Sequence, residues 1–475
     1  MSRTIMFTVL VGGSCKRSGP MRFLVFILVV SSLVVFCDAA GSGFISSSVE
    51  ENVEQLVTDG DIPSLHTCVV SEKEISWFRA FGDQTDPDTV FLIGSIQKVF
   101  TAISILQLYD VGTIGLDDDV NDYLPFSVRH PDYPDTSITI RMLLSHRSGL
   151  TATLYSEFCF DWEGGYTPEY RPYVRGYYDS VIGIPLGEYL AMCLPSDGSL
   201  YSQSNWEFEP DTRYGYSNIG YKVLKYILEF QTNLTIQEYM QENIFSPLRM
   251  NNTGFNALDY IGHHAIPYTR MSGNATNMEL PVWNGRYMVR STARDMGNLL
   301  IALMNDGQFD RFQMLQQDTL AMMFENTCPR GLHVPNDLRK DFMWEGYGLG
   351  LEVRNHGAFG HGGSTIGFTA EMYFNPTTDL GFVRLSNVNA ILDSSSTEWQ
   401  SNNAVHNEIR TLIMTDLGML PTFDALTVIL IVFSSISVVS IIYSVWKKRR
   451  NRSFDGKVIC VQNGRCYSCD TIIDE

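Results

Sequence analysis

Residues 88–112 read DTVFLIGSIQKVFTAISILQLYDVG, and Lys98 is the only charged side chain between Asp88 and Asp110. Val99, Ala102, Ile103, Ile105, Leu106 and Leu108 place apolar groups around almost the whole circumference of a helix predicted from Ser95 to Tyr109. Gly112 supplies the stop. A helix that is apolar all round is buried. Lys98 therefore stands where an ammonium group costs several kcal/mol unless it is paired or shifts its pKa. A lysine can also escape this cost by snorkelling to water from one edge. However, Ser95 lies three residues earlier on the same helix face, at the expected helix start. A hydroxyl beside a desolvated amine, near free helix N-terminal amides, has what nucleophilic catalysis requires. The amine can take the hydroxyl proton, and the amides can stabilise charge on an acyl oxygen.

Outward from this helix, residues 49–59 form a short helix, and residues 66–71 and 74–81 are two extended runs joined by a tight polar turn. Residues 292–295 (Thr-Ala-Arg-Asp) start another helix in capping-box fashion. Met296, Leu299, Leu300, Leu303 and Met304 follow at helical spacing, and Asn305-Asp306-Gly307 ends it. Near the C-terminal end, residues 348–354, 358–360, 371–374 and 381–388 read as strands, with 375–379 as a turn, before a helix over 397–414. Strands at both ends with helices between them predict an α/β fold of the α+β type. One antiparallel sheet, flanked by helices, is completed by both ends of the domain and carries a largely helical insert. Residues 151–209, rich in Tyr, Gly, Pro and Trp, read as a long loop-rich insertion.

The serine–lysine spacing is a weak signal by itself, since Ser444 and Lys447 repeat it. Its company strengthens it. Tyr214-Gly215-Tyr216-Ser217-Asn218 supplies Y-x-N, and His361-Gly362-Gly363-Ser364 follows an expected strand. Y-x-N also has a decoy, Tyr373 and Asn375, in the final hairpin. Further motif segments are residues 138–150 (ITIRMLLSHRSGL), 291–295 (STARD) and 359–363 (FGHGG).

As a linked set over residues 49–414, these segments resemble the serine β-lactamase-related proteins. That family includes class C β-lactamases, penicillin-binding D-alanyl peptidases, esterases and animal β-lactamase-like proteases. The resemblance implies a β-lactamase/transpeptidase-like fold and a serine hydrolase. Ser95 would be the acylated nucleophile, Lys98 and Tyr216 would share proton transfer, and Asn218 would position Lys98 and the substrate. The backbone N–H groups of Ser95 and Ser364 would form the oxyanion hole, with His361, Gly362 and Gly363 lining the substrate side. His146 and Ser148 match a family segment and read as structural turn residues. Penicillin-recognising members usually carry a lysine where His361 stands. A histidine is mostly neutral at pH 7, so small ester or peptide substrates are expected rather than β-lactams. No metal or organic cofactor is implied. The rival reading is a catalytically inactive domain serving as a cell-surface binding module.

The termini address the location. Residues 23–37 (FLVFILVVSSLVVFC) follow Lys16, Arg17 and Arg22 and precede small residues, the layout of a signal peptide over residues 1–40. At about 1.5 Å per residue this run is short for a ~30 Å hydrocarbon core. Residues 425–446 are 22 uncharged residues, long enough to span, and Lys447-Lys448-Arg449-Arg450 follows at once. The expectation is a single-pass type I membrane protein with a luminal or extracellular domain over 41–420 and a cytosolic tail over 447–475. That domain holds 23 basic and 47 acidic side chains, which argues against nucleic-acid partners. It also holds Cys68, Cys159, Cys193 and Cys328, an even number for disulfides, with Cys159–Cys193 the favoured pair. Glycosylation sequons stand at Asn233, Asn251 and Asn274.

Overall fold

Two runs of strand from opposite ends of the chain meet in one sheet. In the computed structural model, helix α1 (Ser47–Asp59) leads into β1 (Ser64–Ser71) and β2 (Glu74–Gly82). The late strands are β3 (Trp344–Tyr347), β4 (Glu352–Arg354), β5 (Phe359–Thr365), β6 (Phe368–Asn375) and β7 (Leu380–Ser386). Their order is β2-β1-β7-β6-β5-β4-β3, antiparallel throughout. The joint pairs Cys68 with Val383 and Val70 with Gly381. The structure describes residues 45–150, 184–260, 262–270, 277–279, 288–327, 344–365, 367–390, 397–419, 459–462 and 465–468.

The sheet reads its own period. On β1, Leu65 and Val69 enter one apolar cluster while Cys68 and Val70 enter the other, as alternation requires. The first cluster joins the sheet to α1 and to α7 (Thr397–Asp416) through Val53, Val57, Phe382, Ile409 and Ile413. The second lies on the opposite face and includes α2 (Gln97–Asp110) and α6 (Ala293–Met304). Gly297 of α6 lets that helix approach β1: a Cβ there would stand 2.8 Å from the Cys68 sulfur. Between β2 and β3 the insert is mostly helical, with α3 (Ile140–Leu144), α4 (Leu186–Cys193) and α5 (Asn218–Thr232) added to α2 and α6.

Ala40–Leu420 forms one compact unit; Met1–Ala39 and Pro421–Glu475 form the other. In the latter, the described part is a hairpin pairing Ile459–Gln462 with Arg465–Ser468. The signal sequence, the 425–446 run and Asn274 lie outside the described residues. Among the described residues, no helix is long and apolar enough to cross a membrane.

Several expectations need correction. The strand expected over 348–354 is interrupted. Gly350 adopts φ +89°, and a Cβ there would fall 2.3 Å from the Ala102 methyl, so the chain turns close over α2 between β3 and β4. Within the stretch read as loop, Leu186–Cys193 is helical, entered from Pro185 in an extended conformation. Cys193 on that helix is buried with a free thiol; its favoured partner Cys159, like Cys328, lies outside the described residues. Cys68 is likewise free, packed in the middle of β1 with burial pushing its thiol up to about 12, which leaves it inert.

Candidate active site

Ser95 sits in a single 3-10 turn, Gly94–Ile96, placed directly before α2. The α-helix therefore starts later than the sequence pattern predicts, and a tighter turn precedes it. Two residues of strand lead in, with Phe91 paired to Ser291 and Leu92 to Arg290. That pairing is braced from α6, whose Thr292 side chain caps the helix by accepting from the Asp295 amide. The Asp295 carboxylate accepts from the Asn252 amide and the Thr253 hydroxyl at 2.7 and 2.8 Å. Burial raises the Asp295 carboxyl to about 6.

The serine turn presses against β5. Gly94 has φ +54°, and a Cβ there would stand 2.7 Å from the backbone nitrogen of Ser364. Across the gap, a Cβ on Gly363 would stand 2.0 Å from the Ile93 carbonyl oxygen. Only glycine fits on either side. The segment 361–364 thus lies inside β5 rather than after a strand, since its glycines let the strand run flush along the turn. The Ser364 hydroxyl accepts from the Asn389 amide group at 2.7 Å, and the same group donates to the Thr365 carbonyl at 2.9 Å.

Lys98 is buried, at 4% exposure, in the first turn of α2. It does not snorkel. Its Nζ donates to the Ser95 hydroxyl at 3.3 Å and lies 4.8 Å from the ring centre of Tyr216 and 5.7 Å from that of Tyr221. Tyr216 is the exposed partner, at 38%. Asn218, half-buried, is the first residue of α5, and Ser217 caps that helix by accepting from the Gly220 amide at 3.0 Å. The decoy pair lies elsewhere: Asn375 of β6 donates to the His356 carbonyl at 2.9 Å.

His361 is buried. Its Nδ1 lies 2.6 Å from the Gly362 carbonyl and its Nε2 3.0 Å from the Tyr347 hydroxyl. A carbonyl only accepts, so the proton sits on Nδ1, and Nε2 accepts from Tyr347. Burial, aided by the nearby Lys98 charge, pushes the imidazole down to about 4. The ring is neutral at pH 7 and offers no cation to a carboxylate. Sequence reasoning missed Tyr347, which no motif marks and which only the turn through Gly350 brings beneath the site.

That depressed value has a consequence for stability. Between pH 6.5 and about 4 the unfolded chain binds a proton that the native His361 refuses, so stability falls as the pH drops through this window. A tenfold loss of proton affinity on folding corresponds to about 1.4 kcal/mol. Thermal unfolding midpoints of the wild type should decline on acidification from neutrality through this window more steeply than those of His361→Gln. Parallel declines would contradict the burial of a neutral ring.

Asn233 and Asn251 are exposed. Among the described residues, no group of three His, Cys, Asp or Glu side chains is disposed to hold a metal ion.

Residues 49–405 match the Beta-lactamase family model. The chain is 29% identical over 275 residues to Beta-lactamase-like protein 2 of Dictyostelium discoideum, covering 54% of this chain and 45% of that protein. It therefore spans less than half of that relative's length. It is also 22% identical over 420 residues to Protein flp of Staphylococcus aureus, covering 85% of this chain and 76% of the relative. Among solved structures, a D-amino acid amidase from Ochrobactrum anthropi matches with a TM-score of 0.58 at 20% identity, over 78% of this chain and 99% of that one. An octameric penicillin-binding protein homologue from Pyrococcus abyssi gives 0.58 at 22% identity, over 72% and 73%. At such identities the structural likeness speaks for the fold.

Proposed function

The chain belongs to the β-lactamase family, and from that membership we propose that it is a membrane-anchored serine hydrolase acting through a Ser95 acyl-enzyme on small neutral esters or amides. The observation that carries the reading is the buried Lys98 amino group held 3.3 Å from the Ser95 hydroxyl. A lysine kept out of water beside a half-exposed serine serves proton transfer better than it serves packing. Attack by Ser95 Oγ on the substrate carbonyl forms the acyl bond, and its proton passes through Lys98 or Tyr216 to the departing alcohol or amine. The Ser95 and Ser364 amides receive the developing oxyanion. Water then returns Ser95 and releases the acid. Asn218 orients Lys98 and the substrate amide or ester.

The neutral His361 supports the substrate class. A buried imidazole donating to its neighbour's carbonyl can line a pocket for an uncharged group, and it cannot balance a carboxylate. The 425–446 run and the basic cluster after it support an anchor with the catalytic domain outside the cytosol, and Asn233, Asn251 and Asn274 would then be available for glycosylation.

One labelling experiment tests chemistry and orientation together. A membrane-impermeant probe for active-site serines, applied to intact cells expressing the full chain, should label Ser95, and Ser95→Ala should abolish the signal. Labelling only after permeabilisation would reverse the orientation while keeping the hydrolase. No labelling in either condition would favour the inactive binding module.

A further inference from the structure

We propose that His146 is the positioning residue of Tyr216, clamping the backbone on both sides of the tyrosine through two amide hydrogen bonds. The inference rests on the serine-hydrolase reading only for Tyr216's role; the clamp itself is geometric. The carbonyl oxygen of His146 accepts from the Gly215 amide at 2.8 Å, and its ring Nδ1 accepts from the Ser217 amide at 3.0 Å. One residue thus holds the positions before and after Tyr216. Its backbone explains how: φ is +58°, in the left-handed region, which turns carbonyl and side chain toward the same segment. A non-glycine residue in that region is strained, and it persists only where its surroundings over-determine it.

The ring does more than accept one bond. It stacks obliquely on Tyr216 with centroids 4.3 Å apart and is enclosed by Tyr214, Tyr221 and Tyr347 at 5.9, 4.9 and 4.8 Å. Tyr221 is itself tied to the same turn, donating to the Leu144 carbonyl at 2.7 Å. Because an amide N–H can only donate, Nδ1 must be unprotonated, and the proton of the neutral ring sits on Nε2. Nε2 is buried and meets no hydrogen-bond partner among the described residues. The titratable groups facing the ring are Lys98 from α2, His361 from β5, and the tyrosines from α5, β3 and the 214–216 loop. Among the described residues no carboxylate faces the ring, so nothing stabilises a charged imidazole. Burial and the Lys98 charge hold the ring well below its ordinary value. A second proton would set donor against donor at the Ser217 amide and release one jaw of the clamp.

Two variants separate the hydrogen bond from the packing. His146→Asn keeps an acceptor near the Nδ1 position and tolerates left-handed backbone, but loses the ring. His146→Phe keeps an aromatic ring and loses the acceptor. Pre-steady-state acylation of the full chain by an active-site serine probe should stay near the wild-type rate in His146→Asn. It should fall about 10²-fold in His146→Phe, the scale expected when a reacting group is displaced by about 1 Å. Rates are compared after normalising to folded protein by near-ultraviolet circular dichroism. If His146→Phe acylates as fast as His146→Asn, or faster, the Nδ1 acceptor does not set the rate and the clamp is overturned. In parallel, ¹⁵N NMR of histidine-labelled protein should show His146 as the neutral Nε2–H tautomer even in mildly acidic buffer, below the ordinary histidine range; an Nδ1–H tautomer or a charged ring would overturn the proposal. This second readout needs no activity. Failure of the wild type to react with the probe would sink the hydrolase reading, while the tautomer would still decide the clamp.

Discussion

Lys98→Arg should acylate at least about 10²-fold more slowly than the wild type, the usual scale for losing a general base. The Lys98 amino group donates to Ser95 Oγ at 3.3 Å from a helix position that is 4% exposed, so its surroundings are set by protein and not by water. Arginine keeps the positive charge but cannot deprotonate, and its planar fork does not fit a slot bounded by the Tyr216 and Tyr221 rings. Charge and proton transfer therefore separate cleanly in this variant. If Lys98 only oriented Ser95 electrostatically, much of the rate would survive. Tyr216→Phe should slow the same step while leaving the aromatic contacts with His146 in place. Stopped-flow acylation of both variants, with circular dichroism as the folding control, measures this. Near-normal rates in both would remove proton transfer from these two residues, even with Ser95 as the nucleophile.

Gly94→Ala should be nearly as damaging, for a steric reason. The added methyl would stand 2.7 Å from the Ser364 nitrogen and 3.1 Å from the Gly363 carbonyl carbon, both backbone atoms that cannot swing aside. The turn and β5 must part, and the Ser364 amide leaves the place where an oxyanion would form. Loss of one such donor costs about 10²- to 10³-fold. Backbone strain from φ +54° would also lower stability, so a matched control is needed. Gly112, beyond the far end of α2, has φ +74°, and a methyl added there would meet nothing within 4 Å. Gly112→Ala should show the strain in its unfolding midpoint and acylate normally. Equal acylation rates in the two alanine variants would mean that the Gly94–Ser364 approach has no part in the reaction.

The buried α2, the two early strands and the strand-rich C-terminal end of the domain were all legible in the linear pattern. Each depends on a period of apolar residues that local geometry reads directly. Thus the apolar ring around Val99–Leu108 predicted burial, and the structure buries Lys98 with it. Ser95 and Lys98 are separated by one helical turn, so their meeting also follows from local spacing. The structure adds that Tyr216 approaches Lys98 from α5's entry, as the family resemblance implied. What the pattern did not carry depends on contacts between distant segments. The interruption at Gly350 arises because the chain crosses α2 at the Ala102 methyl, a neighbour from the opposite end of the domain's sequence. Strand propensity contains no term for that crossing. The same limit hid Tyr347 and the clamp by His146, since a tyrosine in a strand and a histidine in a turn look ordinary in one dimension. Their roles come from tertiary packing, which excludes water from both imidazoles and leaves each one a single neutral tautomer. Sequence determined which chemical groups could act; only the folded sheet, by pressing β5 against the serine turn through two glycines, decided where they stand and which of them can be charged.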